Sequence, residues 1–246
     1  MGARIVSLAG HEPGLSRYGA LAASLRARVI SGEWPPGSAI PSEQTLAAEH
    51  GVALGTMRRA LELLASEGLV ERVHGRGTFV RAGLSGATMM RFFRFGHATG
   101  EVPASRIVSR QEVGLPAAIA QALGLARGER ALKLRRVRSL GGEPCLLEEI
   151  WLPLPSFGAL VEGDPHAWGD LLYPLFAERC GIHVHRAVDE ISFDALGAAD
   201  ARALGLSAGH PCARVARRSF DVAGRCIEYR VSRGDAHAFE YTVSIT

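Results

Sequence analysis

Lysine is nearly absent from this chain: of its 28 basic side chains, Lys133 alone is lysine and the rest are arginine. Positive charge is therefore carried by planar guanidiniums, which suit two-point contact with phosphate or carboxylate. Cysteine is scarce too. Cys145, Cys180, Cys212 and Cys226 lie far apart with no C-x-x-C pair, so metal-finger spacing is missing and reduced cytosolic thiols are expected. No apolar run approaches the roughly 20 residues that cross a bilayer. The opening MGARIVSLAG is too short in its apolar part, and too weakly basic, for a secretory signal. A cytoplasmic protein with no membrane association is the expectation.

What is present supports a folded core. The chain has 246 residues, 47% of them apolar, enough for one or two domains. Net charge is only +3, and eight arginines face seven glutamates between residues 11 and 83, so bulk charge does not point to nucleic acid. Placement says more. Arg58 and Arg59 are adjacent, and Arg72, Arg76 and Arg81 surround a glycine-rich tip. A clustered basic stripe is the footprint of phosphate contact, although such a stripe alone is more often a solvated face.

Residues 17 to 81 carry a fixed order of local signals. Leu21, Leu25, Val29 and Ile30 recur at helical spacing, which predicts an amphipathic helix over 16–31 with Ser16 as its cap. Gly32, Pro35, Pro36 and Gly37 stop it. A short helix over 42–48 follows Pro41, with Glu43 at its positive end. Gly51 supplies a turn into a helix over 56–66, whose Met57, Ala60, Leu61 and Leu64 face inward and which Gly68 closes in a left-handed cap. Two short strands, 69–70 and 78–80, flank Gly75-Arg76-Gly77. Three helices plus a β-hairpin wing in this order make a winged helix-turn-helix, which sets one helix in a DNA major groove and a hairpin against the backbone.

The DNA-contact candidates follow from that placement. They are Ser42, Glu43 and Gln44 on the first helix of the motif, Gly55, Thr56, Arg58 and Arg59 at the start of the second, and His74, Gly75, Arg76 and Gly77 at the wing. Small residues let the helix end approach base edges. Thr56 can meet a phosphate or a thymine methyl, and Arg58 a phosphate or guanine. The alternative for the two arginines is ordinary exposed helix formers, and for His74 a bland wing tip.

These residues strongly resemble the winged-helix domain of the GntR family of bacterial repressors. Gly37-x-x-Ile40-Pro41-Ser42-Glu43, then Val52 to Thr56-Met57-Arg58, then Glu67-Gly68-Leu69 with Gly75-Arg76-Gly77-Thr78-Phe79-Val80 stand in the family's order. Ala53 replaces the usual turn serine, and Leu54 and Gln44 stand where many relatives carry arginine. The resemblance implies operator binding by a homodimer on a palindrome.

Small residues at 82–87 mark a flexible joint, so the expected division is 14–82, a linker 83–92, and a second domain 93–246. The run MMRFFRFG at 89–96 is either a strand or the start of an effector site; a strand is the simpler reading. The second domain carries an internal repeat. Ala117, Ala120, Leu123, Gly124, Leu125 and Gly128 recur 81 positions later as Ala198, Ala201, Leu204, Gly205, Leu206 and Gly209. Each set reads as a short helix, followed by an arginine-rich strand, a glycine turn and a partner strand. Two such halves predict one antiparallel sheet with helices on a face, an α+β layout.

This half resembles the UTRA domain, the sensing part of HutC-type GntR regulators, whose fold is like that of chorismate lyase. The residues that carry the resemblance are Arg136 and Arg138 before a glycine turn, Gly142, Pro144, Glu148, Leu152 and Pro153, the helix ending at Cys180-Gly181-Ile182, and Glu228-Tyr229 with Arg233-Gly234-Asp235. Arg136 and Arg138 alternate on one strand and so share a face, where two guanidiniums would clamp a carboxylate or phosphate. Glu148 and Glu228 on neighbouring strands either bind hydroxyl or amine groups or pair with the arginines. The resemblance implies effector contact by Arg136, Arg138, Glu148, Tyr173 and Glu228. Tyr173 is expected on a helix over 169–179. Leu171 replaces a serine that phosphosugar-binding relatives carry, which favours a smaller or partly apolar acid.

His183 and His185 alternate along an expected strand and could share a metal. No third ligand stands at clear spacing, so no metal and no cofactor is expected. The reading is an operator-binding repressor controlled by a small anionic metabolite. The alternative is a chorismate-lyase-like enzyme with an accessory front part; no nucleophile–base pair at informative spacing supports turnover.

Overall fold

Apolar side chains spaced three and four apart meet in one core under the first three helices. In the computed structural model the described residues are 17–81, 93–95 and 103–241, and the chain divides into two compact units, residues 1–82 and 83–246.

The first unit holds α1 (Arg17–Ile30), α2 (Glu43–Glu49) and α3 (Leu54–Ser66), then β1 (Val70–Val73) and β2 (Gly77–Val80). Leu21, Leu25, Leu46, Met57, Ala60, Leu61 and Leu64 are fully buried, and each buried leucine stabilises by about 1.5–3 kcal/mol. Ile30 departs from the expected stripe and is 41% exposed. Trp34 is buried instead, with the Arg28 guanidinium 4.1 Å over its ring. α2 starts one residue later than expected, because Ser42 is its cap: Ser42 Oγ accepts the Thr45 N–H at 3.1 Å. α3 starts two residues earlier than expected. Ala53 is its extended cap residue and offers no side-chain hydrogen bond. Gly68 takes the left-handed conformation expected of it, φ 73°.

The wing pairs Val70 with Val80 and Val73 with Gly77, so β1 begins one residue after Leu69 and runs longer than the apolar pattern suggests. Segment 37–40 lies along its open side. Ile40 donates its N–H to the Thr78 carbonyl at 2.9 Å, and Val80 to the Ser38 carbonyl at 2.9 Å. This backs the tip with three extended chains rather than two.

The second unit contains β3 (Phe93–Phe95), β4 (Ala104–Gly114), α4 (Ala117–Leu123), β5 (Arg130–Leu140), β6 (Glu143–Pro153), α5 (Leu154–Phe157), α6 (Leu172–Cys180), β7 (Arg186–Ala195), α7 (Ala198–Ala203), β8 (Pro211–Phe220), β9 (Cys226–Asp235) and β10 (Phe239–Tyr241). A six-stranded antiparallel sheet runs β4-β5-β6-β9-β8-β7, and β3 pairs with β10. The repeat is larger than the sequence shows. Each half begins with an outer strand, β4 or β7, that pairs with the first strand of its hairpin. The halves join along β6 and β9, with Glu148 opposite Ser232 and Ile150 opposite Arg230.

One face of that seam is covered by α4 and α7. Ala120 and Leu123 pack with Trp151 and Tyr229, while Ala201 and Leu204 pack with Val137, Leu147 and Cys212. Each helix thus touches strands of both halves. The opposite face is covered at one end by the 154–184 connection, whose Phe157, Leu160, Trp168, Leu172, Tyr173 and Phe176 pack on Leu132, Leu134, Ile150 and Leu152.

Two expectations need correction. The helix bearing Tyr173 spans Leu172–Cys180 rather than 169–179; Gly169 sits at φ 68°, outside right-handed helix geometry. His183 and His185 do not share a strand, since β7 begins only at Arg186. Val184 between them is buried in the core under α6, which draws the chain inward before the sheet starts. Of the 89–96 run, only Phe93–Phe95 falls among the described residues; Ser16 and the expected linker 83–92 lie outside them. No helix among the described residues is long and apolar enough to cross a membrane.

Candidate functional site

Two arrangements of charge stand out, one in each unit. In the first, Glu43 opens α2 and receives two arginines. Arg58 Nε donates to its Oε2 at 2.7 Å, and Arg72 Nη2 to its Oε1 at 3.0 Å. Arg72 also lies 3.7 Å from Glu62 and donates to the Arg58 carbonyl at 3.4 Å. One carboxylate therefore ties α2, α3 and the wing together. Arg58 remains 57% exposed, and exposed pairs of this kind are worth about 0–1 kcal/mol. The guanidinium can exchange Glu43 for another anion at little cost.

The remaining candidates of this unit surround that bracket. Ser42 is occupied as a cap and bonds Thr45 Oγ1 at 2.8 Å, and Gln44 is exposed beside it. At the start of α3, Gly55 has open space where a side chain would project, and Thr56 is half-buried. Arg59 is exposed and makes no ion pair among the described residues. His74, Gly75, Arg76 and Gly77 form the exposed wing tip, with the Arg76 guanidinium 5.5 Å from the Phe79 ring.

The second arrangement is buried. On the sheet face beneath α6, strand alternation and cross-strand register bring Arg136, Glu148, Glu228 and Arg230 together. Arg136 Nε donates to Glu148 Oε2 at 2.5 Å. Arg230 reaches across the seam to Glu148 Oε1 at 3.2 Å and pairs with Glu228 through Nε at 2.9 Å and through Nη2. Glu228 Oε2 accepts from Ser219 at 2.6 Å and from Tyr173 at 2.9 Å. Ser232 Oγ adds a bond to Glu148 at 3.3 Å. Farther along the same face, Arg217 pairs with Asp189 at 2.6 Å.

Positive charge is in excess here. Buried Arg136, Arg138, Arg217 and Arg230 face the carboxylates Glu148, Glu228 and Asp189. Arg138 donates Nη2 to the Pro103 carbonyl at 2.8 Å, but its Nε, like Arg136 Nη1, is buried with no hydrogen-bond partner. A buried donor left unmatched costs about 1–3 kcal/mol, and more when charged. Burial pushes the Arg136 guanidinium down to about 10, with Glu148 only partly offsetting it. Burial would raise the two glutamates, but the neighbouring arginines hold both below the ordinary carboxylate range. Burial and Glu228 push the Tyr173 phenol up, keeping it a hydrogen donor.

Four expected effector residues, Arg136, Glu148, Tyr173 and Glu228, thus form one network, and Arg138 stands two positions along the strand from Arg136. The two glutamates are spent on arginines. Sequence reasoning missed Arg230, Ser219, Ser232 and the Arg217–Asp189 pair. A signal for Arg217 existed, since the 81-residue repeat carries Arg136 onto it. Arg230 had none, because its role depends on β9 pairing with β6. A cavity of about 630 Å³ beside α4 and the β8–β9 turn is lined by none of these side chains.

Comparison with known proteins matches both units of the chain. The model for bacterial regulatory proteins of the gntR family matches residues 17–80, and that for the UTRA domain matches residues 98–240. The transcriptional repressor NagR of Bacillus subtilis is 29% identical over 87% of this chain and 89% of its own length. The probable fructoselysine utilization operon repressor of Escherichia coli is 28% identical over 82% and 84%. Among solved structures, PhnF from Mycobacterium smegmatis superposes with a TM-score of 0.57 at 28% identity, covering 92% of this chain and 98% of that one.

Proposed function

The chain belongs to the GntR family of transcriptional regulators, with a UTRA effector domain behind its winged helix, and from that premise we propose that it is a cytoplasmic, homodimeric repressor released from a palindromic operator by a small anionic metabolite. Regulators of this family bind DNA operators and sense small molecules; they are not enzymes.

In this reading residues 14–82 are the reading head, 83–92 the joint and 93–246 the sensor. Arg58, Arg59 and Arg76 contact phosphate or guanine, with Thr56 and Gly55 at the groove and Ser42, Glu43, Gln44, His74, Gly75 and Gly77 shaping the surface around them. Two heads related by a two-fold axis read two half-sites one helical turn apart. The unmatched donors Arg136 Nη1 and Arg138 Nε are the observation that carries the effector assignment. A carboxylate or phosphate bridging them satisfies both and neutralises the excess charge of the sheet face. Tyr173, Glu148 and Glu228 hold the arginines in place. Leu171, at the cap of α6, offers an apolar neighbour where a hydroxyl would serve a sugar phosphate. Such an acid controls DNA binding only if it favours one arrangement of the two heads over the other.

A thermal-shift screen of the full-length protein against metabolite carboxylates, phosphates and phosphonates tests this. At a hundredfold excess over its Kd, the right acid raises Tm by about 5–10 °C. The same acid should leave Arg138→Met unshifted and should release wild-type protein from its operator. Equal shifts in wild type and Arg138→Met would contradict the assignment.

A further inference from the structure

We propose that His210, Asp235 and His237 form a binding site for a divalent transition-metal cation, separate from the arginine face. Candidate ligand atoms from the three residues all lie within 4.8 Å of one another. His210 Nε2 stands 2.7 Å from Asp235 Oδ1, and the two imidazole rings are 5.5 Å apart at 83°. Two imidazoles and one carboxylate are a donor set for zinc, nickel or cobalt rather than for calcium or magnesium. Metal–nitrogen and metal–oxygen bonds of about 2.0–2.2 Å set donors roughly 3–3.4 Å apart, so the His210–Asp235 contact opens slightly and the wider separation closes. His237 is exposed, so its side chain can swing to supply the third bond. The remaining positions are open to water.

The site is held by backbone on two sides. His210 precedes β8, with its carbonyl accepting the Leu196 N–H at 2.9 Å and its own N–H bonded to the Ser207 carbonyl at 3.1 Å. Asp235 is the last residue of β9, and its Oδ1 accepts the His237 N–H at 2.9 Å, fixing the turn that leads into β10. Ligation through His210 Nε2 requires that nitrogen to carry no proton, so the ring binds as the neutral tautomer with its proton on Nδ1, beside the Asp235 carboxylate.

The fold itself does not require these side chains. The repeat carries His210 back onto Glu129, and the register, with Ala131 opposite Pro153 and Cys212 opposite Asp235, sets Asp235 and His237 against Pro153 and Pro155. At the first of these the same backbone bond recurs, the Glu129 carbonyl accepting the Leu115 N–H at 2.8 Å. One half thus builds the corner with a single carboxylate, Glu129, whose Oε1 accepts the Ala126 N–H at 2.8 Å, and the other places three ligands there. A bound ion would pin the loop before β8 to the turn before β10, and so to the β3–β10 ladder at the start of the second unit.

Full-length protein stripped with chelator and dialysed should be titrated with cobalt(II) and followed by visible absorption and equilibrium dialysis. The expected result is one saturable cobalt per chain, weakened at least about tenfold in His237→Ala and in Asp235→Asn. His237 is exposed, so its alanine variant tests ligation without a folding defect. Absence of saturable uptake, or uptake unchanged by His237→Ala, overturns the proposal. Either outcome leaves operator binding and the arginine face untouched as separate questions.

Discussion

Arg58 of the candidate recognition helix is held by Glu43 of the preceding helix at 2.7 Å. The same carboxylate holds Arg72 of the wing, so a single acidic side chain sets the position of two cations on the expected DNA face. In the free protein it partly neutralises them, and in the proposed reading a phosphate drawn to these arginines would meet its charge. Glu43→Gln should therefore change stability by no more than about 1 kcal/mol. It should tighten binding to non-operator duplex more than to operator, lowering the ratio of the two affinities. Fluorescence anisotropy with operator and scrambled duplexes at one salt concentration measures that ratio. An unchanged ratio would remove Glu43 from the recognition surface.

Glu148 receives Arg136 from one strand and Arg230 from another, and all three are buried. Glu148→Gln leaves two guanidiniums without their shared anion. Loss of one partner from a buried ion pair costs about 3–5 kcal/mol, so the second unit should unfold at clearly lower urea than in wild type while the first unit is unaffected. Coincident midpoints for variant and wild type would show that the network is not what holds the seam.

Acid should attack the same network. Burial opposes ionisation of Glu148 and Glu228, but the arginines outweigh it and hold both carboxyls below their ordinary range. The unfolded chain thus binds these protons more readily than the native one. The stabilisation is complete above about pH 4.3, the ordinary glutamate value, and is lost progressively as pH falls below it. Urea midpoints of the second unit measured from pH 6 down to pH 3 should drop, and Glu148→Gln should show a shallower fall. A flat profile in wild type would contradict the assignment.

Tyr173 lies at the opposite end of the pH scale. Its phenol is pushed up by burial and by Glu228, to which it donates at 2.9 Å. Its contribution to stability is present below about pH 10, the ordinary tyrosine value, and is lost only as pH rises beyond that. In a phenolate absorbance titration, wild type minus Tyr173→Phe should show no difference until pH exceeds about 10. A difference that rises at or below that value would mean the hydroxyl is not buried in the network.

Legibility in the sequence followed the range of the interaction. Leu21, Leu25, Met57, Leu61 and Leu64 declared their helices through spacing alone, and Gly68 its cap. The arginine face was half legible. Arg136 and Arg138 share a face by strand alternation, but the glycine turn alone would set Leu147 opposite Arg136, and only the register shift between Arg138 and Ser139 brings Glu148 there. Arg230 could not be placed without knowing that β9 lies against β6, which no local signal states. The outer strands were missed for another reason. Along β7, Asp189, Glu190, Ser192 and Asp194 are interspersed with exposed Ile191 and Phe193, so no clean apolar alternation marks an edge strand. His183 and His185 alternate without lying in a strand, because Val184 between them belongs to the core and β7 begins only beyond them.

The most direct test is operator affinity as a function of salt, using duplex from the protein's own genomic neighbourhood. Each phosphate contact removed should lower the slope of log K against log salt by about one unit. Wild type should prefer operator over scrambled duplex and weaken steeply with salt, and Arg58→Ala with Arg59→Ala together should reduce the slope by about two units while the fold stays intact. Equal affinity for scrambled duplex, or a slope unmoved by losing both arginines, would contradict the account.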